Sequence, residues 1–226
     1  MSQPMGSDNG SPAAGHRQGF GKTIVVALAG QPNVGKSTVF NLLTGLHQRV
    51  GNWPGKTVER KEGVVSLAGA RLCIVDLPGT YGLGGNSEEE RIARDFILQE
   101  RPDVVVMLAD ASALERNLYL LAELLTLPIP VVLGLNMIDV AEAQGIRVEP
   151  HVLEAALGLP VVPLVAVRNE GVAALIEGAV RLALAPELFR PARPETAAEH
   201  ADVLAEVRAL LGTHVQEPYG PDWVAL

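Results

Sequence analysis

The stretch "GQPNVGKS", residues 30–37, restricts this chain more than any other. Glycine, four residues, then Gly-Lys-Ser is a phosphate-loop pattern. It works only where a buried strand runs into a helix, because the loop's backbone N–H groups then converge and the helix N-terminus adds its dipole. The flanks supply that context. "TIVVALA" (23–29) is a β-rich apolar run, and "KSTVFNLLTGL" (36–46) repeats its apolar residues at three and four. A glycine turn that merely spells the pattern is the bland alternative, and the strand-helix context counts against it. The expected phosphate cradle is therefore Gly30, Asn33, Val34, Gly35, Lys36, Ser37 and Thr38, with Lys36 as the point charge for outer phosphates and the Ser37 hydroxyl placed to ligate Mg2+.

The rest of the chain alternates in the same way. Apolar runs at 70–77, 103–110, 129–136 and 160–166 are separated by helical periodicity over 87–98, 114–127 and 171–184. "EGVVSLAG" (62–69) reads as the antiparallel hairpin partner of "ARLCIVDL". The expected fold is α/β, a six-stranded, mostly parallel sheet with helices on both faces. Ser87 followed by Glu90 predicts a capping box. A polar leader over 1–21, a nucleotide-binding domain over 22–186, and a linker with a helical segment over 187–226 complete the expected organisation.

Two further signals stand at ends of apolar runs. "CIVDLPG" (73–79) places Asp76 to reach Mg2+ through water and the Gly79 N–H to meet a terminal phosphate. "LNMID" (135–139) sets Asn136, Met137 and Asp139 in a row. A carboxylate there can accept from both the N1–H and the exocyclic amino group of guanine, a donor pair that adenine lacks. Asp-x-x-Gly turns and Asx turns are common, so each signal draws its force from following the phosphate loop in order. "VAVRNEG" (165–171) closes the set: Val165, Ala166 and Val167 would form the base loop, with the Ala166 N–H expected to meet the guanine O6.

Composition excludes other partners. The net charge of -8 is the reverse of a nucleic-acid footprint. Cys73 is the single cysteine, so no internal disulfide or Cys-cluster metal site can form. No stretch reaches the ~18 uninterrupted apolar residues of a membrane-spanning helix. The histidines at 16, 47, 151, 200 and 214 lack ligand spacing.

Taken together, these motifs resemble the translation-factor-related branch of small GTPases over residues 22–186. "QRVGNWPGKTVERKEG", "GQPNVGKSTVFNLLTG" and "VDLPGTYGL" resemble the ferrous iron transport protein B family, a bacterial membrane transporter with a cytosolic GTPase head. "PYGPDWVAL" (218–226) is similar to a segment of that family's helical regulatory domain. The resemblance implies a Ras-like P-loop GTPase fold, GTP/GDP as ligands with Mg2+ and K+, and hydrolysis assigned to Asn33, Lys36, Thr57 and Gly79. It makes Thr57 the first-switch residue that reaches Mg2+ when GTP is bound. It also gives Asn33 a K+ ion shared with the carbonyls of Gly51 and Trp53. The ordinary alternative for Trp53 is a core or partner-facing aromatic anchor. The implied partner is the membrane-embedded portion of the transporter, at the cytoplasmic face of the inner membrane, with self-association of copies allowed.

Some positions depart from that pattern. Thr80 follows Gly79, where a longer side chain orients water in many regulatory GTPases, so intrinsic turnover is expected to be slow and backbone-directed. Lys56, Ala166 and Val167 are likewise atypical, and the last two bear on how tightly GDP is held. Two other readings stay open at this point: a soluble GTPase switch in ribosome or tRNA assembly, and a nucleotide sensor without useful turnover.

Overall fold

The structure, a computed structural model, describes residues 23–193, 200–211 and 214–215. Its strands are β1 (Ile24–Gly30), β2 (Gln48–Asn52), β3 (Glu59–Leu67), β4 (Ala70–Asp76), β5 (Val104–Asp110), β6 (Val131–Asn136) and β7 (Val161–Pro163). Its helices are α1 (Lys36–Thr44), α2 (Glu88–Asp95), α3 (Leu114–Thr126), α4 (Ile138–Ala143), α5 (Pro150–Leu157), α6 (Val172–Leu184) and α7 (Ala201–Leu211). The sheet order is β2-β3-β4-β1-β5-β6-β7. From β4 to β7 every pairing is parallel, and β3 runs antiparallel to both β2 and β4.

The expected strand count is corrected from six to seven. The extra strand, β2, carries the polar, mostly exposed sequence "QRVGN" and has no apolar run to announce it. It forms by pairing with β3, setting Gly51 opposite Arg60 and Asn52 opposite Glu59. By contrast, β6 is buried throughout and β5 up to its last residue, Asp110, as their unbroken apolar runs require of strands covered on both faces.

Side chains of β1 divide between two cores, alternating as a strand must. Val26 and Leu28 point to the layer with Phe40 of α1 and Leu175 of α6, whereas Ala27 and Ala29 face the layer with Ile92 of α2 and Leu121 of α3. Fully burying residues such as Phe40 or Leu121 stabilises the fold by about 1.5–3 kcal/mol each. The two layers fix β1 from both sides, and with it the loop that leaves its C-terminal end.

At the start of α2 the Ser87 Oγ accepts from the Glu90 N–H at 3.1 Å, while the Glu90 carboxylate accepts from the Asn86 N–H at 2.9 Å. This helix continues into one π-helical turn, Phe96–Glu100, with Phe96 and Ile97 buried. Such turns are rare and tend to sit where function needs a distorted helix.

Beyond α6 the chain folds back. Phe189 packs against both cores, and the Ala192 N–H donates to the Leu157 carbonyl at 2.8 Å. Gly158, φ 65°, ends α5 beneath this segment, and any Cβ there would run into the Arg190 carbonyl. α7 buries no side chain. The leader, residues 194–199 and the "PYGPDWVAL" segment lie outside the described residues. No helix among the described residues is long and apolar enough to cross a membrane.

Candidate functional site

A cleft of about 680 Å³ opens at the C-terminal ends of the parallel strands, the place where open α/β sheets bind ligands. The phosphate loop forms one end. Within it Asn33 (φ 68°) and Gly35 (φ 89°) are both left-handed, a geometry that turns successive N–H groups toward one point. Gly35 can be nothing larger, since a Cβ would strike Nδ2 of Asn136.

Asn136 ends β6 and is buried. Its Nδ2 donates to the Val34 carbonyl at 3.0 Å, and its Oδ1 accepts from the Ala166 N–H at 3.0 Å. One amide therefore straps the phosphate loop to the base loop, and only this orientation satisfies both bonds. A correction follows. The Ala166 N–H, expected to meet a guanine O6, is given to Asn136; Val165, Ala166 and Val167 all line the cleft, and of the three Val167 is the exposed one, at 81%.

At the phosphate end Lys36 Nζ lies 2.5 Å from Asp76 Oδ1, both side chains nearly buried. Asp76 is the last residue of β4 and pairs in register with Leu28 of β1, so the sheet holds its carboxylate beneath the loop. Ser37 and Thr38 line the cleft from the first turn of α1, and Gly79 packs on Pro32. Thr80 is buried, its Oγ1 donating to the Gly82 carbonyl at 2.6 Å and its N–H to the Gly30 carbonyl at 3.2 Å. A carboxylate oxygen of Glu123, on α3, accepts from the Leu83 N–H and fixes the loop that follows.

Met137 (φ 62°), Asp139 and Val165 complete the base end. Asp139 Oδ2 stands 3.3 Å from Arg168 Nη1, while Arg168 Nε bonds Glu170 at 2.9 Å. The Arg168 guanidinium is held above its ordinary value, first by its hydrogen bond to Glu170 and, more weakly, by the Asp139 charge.

Gly51, Trp53 and Thr57 are not brought to the cleft. The segment that carries them is folded as the β2–β3 hairpin and its turn. There the Trp53 N–H donates to the Val58 carbonyl at 3.0 Å and the Trp53 carbonyl accepts from the Lys56 N–H at 2.9 Å. Trp53 itself is a buried anchor, 7% exposed, and Thr57 points to solvent. In this conformation the expected K+ set is split, since Asn33 lines the cleft while the residues that would supply the two carbonyls, Gly51 and Trp53, do not. Of the expected Mg2+ set, Ser37 lines the cleft and Asp76 lies beneath the loop paired with Lys36, while Thr57 stands apart; two protein oxygens beside phosphate are enough for Mg2+. Gln31, Pro32 and Val140 also line the cleft and were missed. Gln31 and Pro32 fall inside the phosphate-loop pattern at positions it leaves unspecified.

Residues 24–179 match the family described as Ferrous iron transport protein B. Over 158 residues the chain is 51% identical to the Fe(2+) transporter FeoB of Shigella flexneri, covering 68% of this chain and 20% of that protein. It therefore spans about one fifth of the transporter's length. Among solved structures, the cytosolic domain of the T. maritima FeoB iron transporter in a GDP form superposes with a TM-score of 0.84 at 38% identity, covering 90% of this chain and 80% of that one. Its GMPPNP form gives 0.81 at 38% identity, over 90% and 79%. A match across more than half the chain, a relative this similar and a shared fold lead to one conclusion: the chain belongs to the ferrous iron transport protein B family.

Proposed function

We propose that this chain binds guanine nucleotides and hydrolyses GTP to GDP and phosphate, as a cytosolic G domain that gates ferrous iron transport at the inner membrane. The observation that carries the reading is the Asn136 strap, which locks a phosphate loop and a base loop into one cleft. Family relatives crystallised in GDP and GMPPNP forms support it. Nothing comparable favours ribosome or tRNA assembly.

In this reading Lys36 exchanges Asp76 for phosphate oxygens as nucleotide enters, and Asp76 and Ser37 would be the residues that hold Mg2+. Bound there, Mg2+ would neutralise charge on the outer phosphates. Asp139 accepts from guanine N1–H and the 2-amino group, and the Val167 N–H replaces the Ala166 N–H as donor to O6. The Gly79 N–H faces the terminal phosphate. Attack by water on the γ-phosphorus, with the bridging oxygen leaving on GDP, has no side-chain base: the Thr80 hydroxyl is already donated to Gly82. Turnover is accordingly slow. Thr57 joins only after the 53–58 turn unwinds, and K+ stimulation would require the same rearrangement, so no step is assigned to that ion here. Residues 22–186 form the G domain in this scheme, and the membrane portion of the transporter is its partner.

Calorimetric titration of GDP, GTP and ADP in Mg2+ buffer, with phosphate release measured in K+ and in Na+, tests the reading. Guanine nucleotides should bind and ADP should not. Equal heats for GDP and ADP would refute it.

A further inference from the structure

The base loop carries alanine and valine at 166 and 167, so neither residue can offer a side-chain donor to its neighbour. Asp139 sits on the first turn of α4, partly exposed, and nothing from those two positions restrains it. Arg168 does. Its Nη1 is 3.3 Å from Asp139 Oδ2, and this is the one side-chain hydrogen bond that Asp139 makes among the described residues.

Arg168 is itself braced by a second carboxylate. Nε and Nη2 contact the two oxygens of Glu170 at 2.9 and 3.3 Å, leaving Nη1 as the free prong of the fork. The turn beneath is closed as well. Val165 and Glu170 exchange both backbone bonds at 3.2 Å, and Asn169, left-handed at φ 56°, returns its N–H to the Ala166 carbonyl at 3.0 Å. A planar guanidinium on a fixed turn can set the plane of a carboxylate, which a flexible ammonium cannot.

Resting on the guanine-binding reading above, we infer that Arg168 is a positioning residue for base recognition: by holding Asp139 Oδ2 it fixes the carboxylate plane and sets discrimination against purines without a 2-amino group. Reading two donors on one base edge needs both carboxylate oxygens in the plane of that edge. An ionised carboxylate has about four acceptor positions, so one can serve Arg168 while the others face the base. The pair is exposed and contributes little to folding. Its effect appears on binding, where a pre-ordered side chain has less freedom to lose.

The test is calorimetry on the full chain with GDP, inosine diphosphate and ADP, using Arg168→Ala, Glu170→Gln and Asp139→Ala, singly and with Arg168→Ala combined with Asp139→Ala. Arg168→Ala should lower GDP affinity about two- to twelvefold, the range expected from unfreezing one side chain, and lower inosine diphosphate affinity much less. The ratio between the two ligands then contracts. Glu170→Gln should contract it in the same direction by a smaller factor, and Arg168→Ala should add nothing once Asp139 is alanine. A uniform loss for all three nucleotides, an unchanged ratio, or a loss that persists without Asp139 would overturn the inference while leaving guanine binding intact. Wild-type protein that treats GDP and ADP alike would overturn both.

Discussion

The Trp53 indole meets the Phe96 ring edge to face, with centroids 5.6 Å apart and planes at 76°. Phe96 opens the π-helical turn after α2, and Arg60 of β3 lies 4.8 Å above the indole, so two elements close on one side chain of the 53–58 turn. Lys56 adds an ion pair to Glu88 at 3.4 Å. Trp53→Ala should cost about 3 kcal/mol, the lower end for deleting a buried aromatic ring, read as a drop in urea-unfolding free energy. In a Trp223→Phe background, Trp53 emission should shift to the red if GTP with Mg2+ draws the switch over the cleft.

Asn136→Ala separates the strap from direct contact with the base. It leaves the Val34 carbonyl and the Ala166 N–H without partners in a buried site, at about 1–3 kcal/mol for each group. Both unfolding free energy and GDP affinity should fall, the latter at least about tenfold by the same loss of 1.4 kcal/mol or more. Unchanged GDP affinity in a destabilised protein would show that the two loops keep their places without it.

Lys36 and Asp76 neutralise each other at 2.5 Å. Lys36→Met leaves a nearly buried carboxylate unpaired, which should cost about 3–5 kcal/mol, and nucleotide binding should vanish. Adding Asp76→Asn should restore most of the stability but none of the binding. Thermal unfolding and GDP titration on the same two proteins read the two roles separately.

Burial raises the Cys73 thiol above its ordinary value, with the Glu62 charge adding to the shift and Arg60 opposing it. The neutral form is favoured in the folded state, so stability is level below the ordinary thiol value and declines as pH rises past it, where the unfolded chain ionises first. Alkylation by iodoacetamide at neutral pH should be slow in native protein and rapid in urea.

Much of the cleft was legible because its chemistry is local. A phosphate loop needs its glycines, lysine and serine within one turn, Asp76 closes an apolar run whose strand character is plain, and Asp139 follows another such run by three residues. What escaped was decided by distant partners. β2 has no hydrophobic pattern and exists through β3. Trp53 meets a ring more than forty positions away, so nothing near it in the sequence indicates burial. The Ala166 N–H looked available until a side chain 30 residues earlier was seen to take it. The short helices α4 and α5 were overlooked because each offers too few turns to display a period.

The return of the chain through Phe189 and Ala192 onto the end of α5 has a mechanical meaning. A pull applied beyond residue 193 is borne first by the end of α5 and the sheet edge that carries β7, and through Phe189 by both layers that flank the sheet. In the guanine-binding reading proposed above, force from that direction would reach the base end of the cleft before the phosphate end.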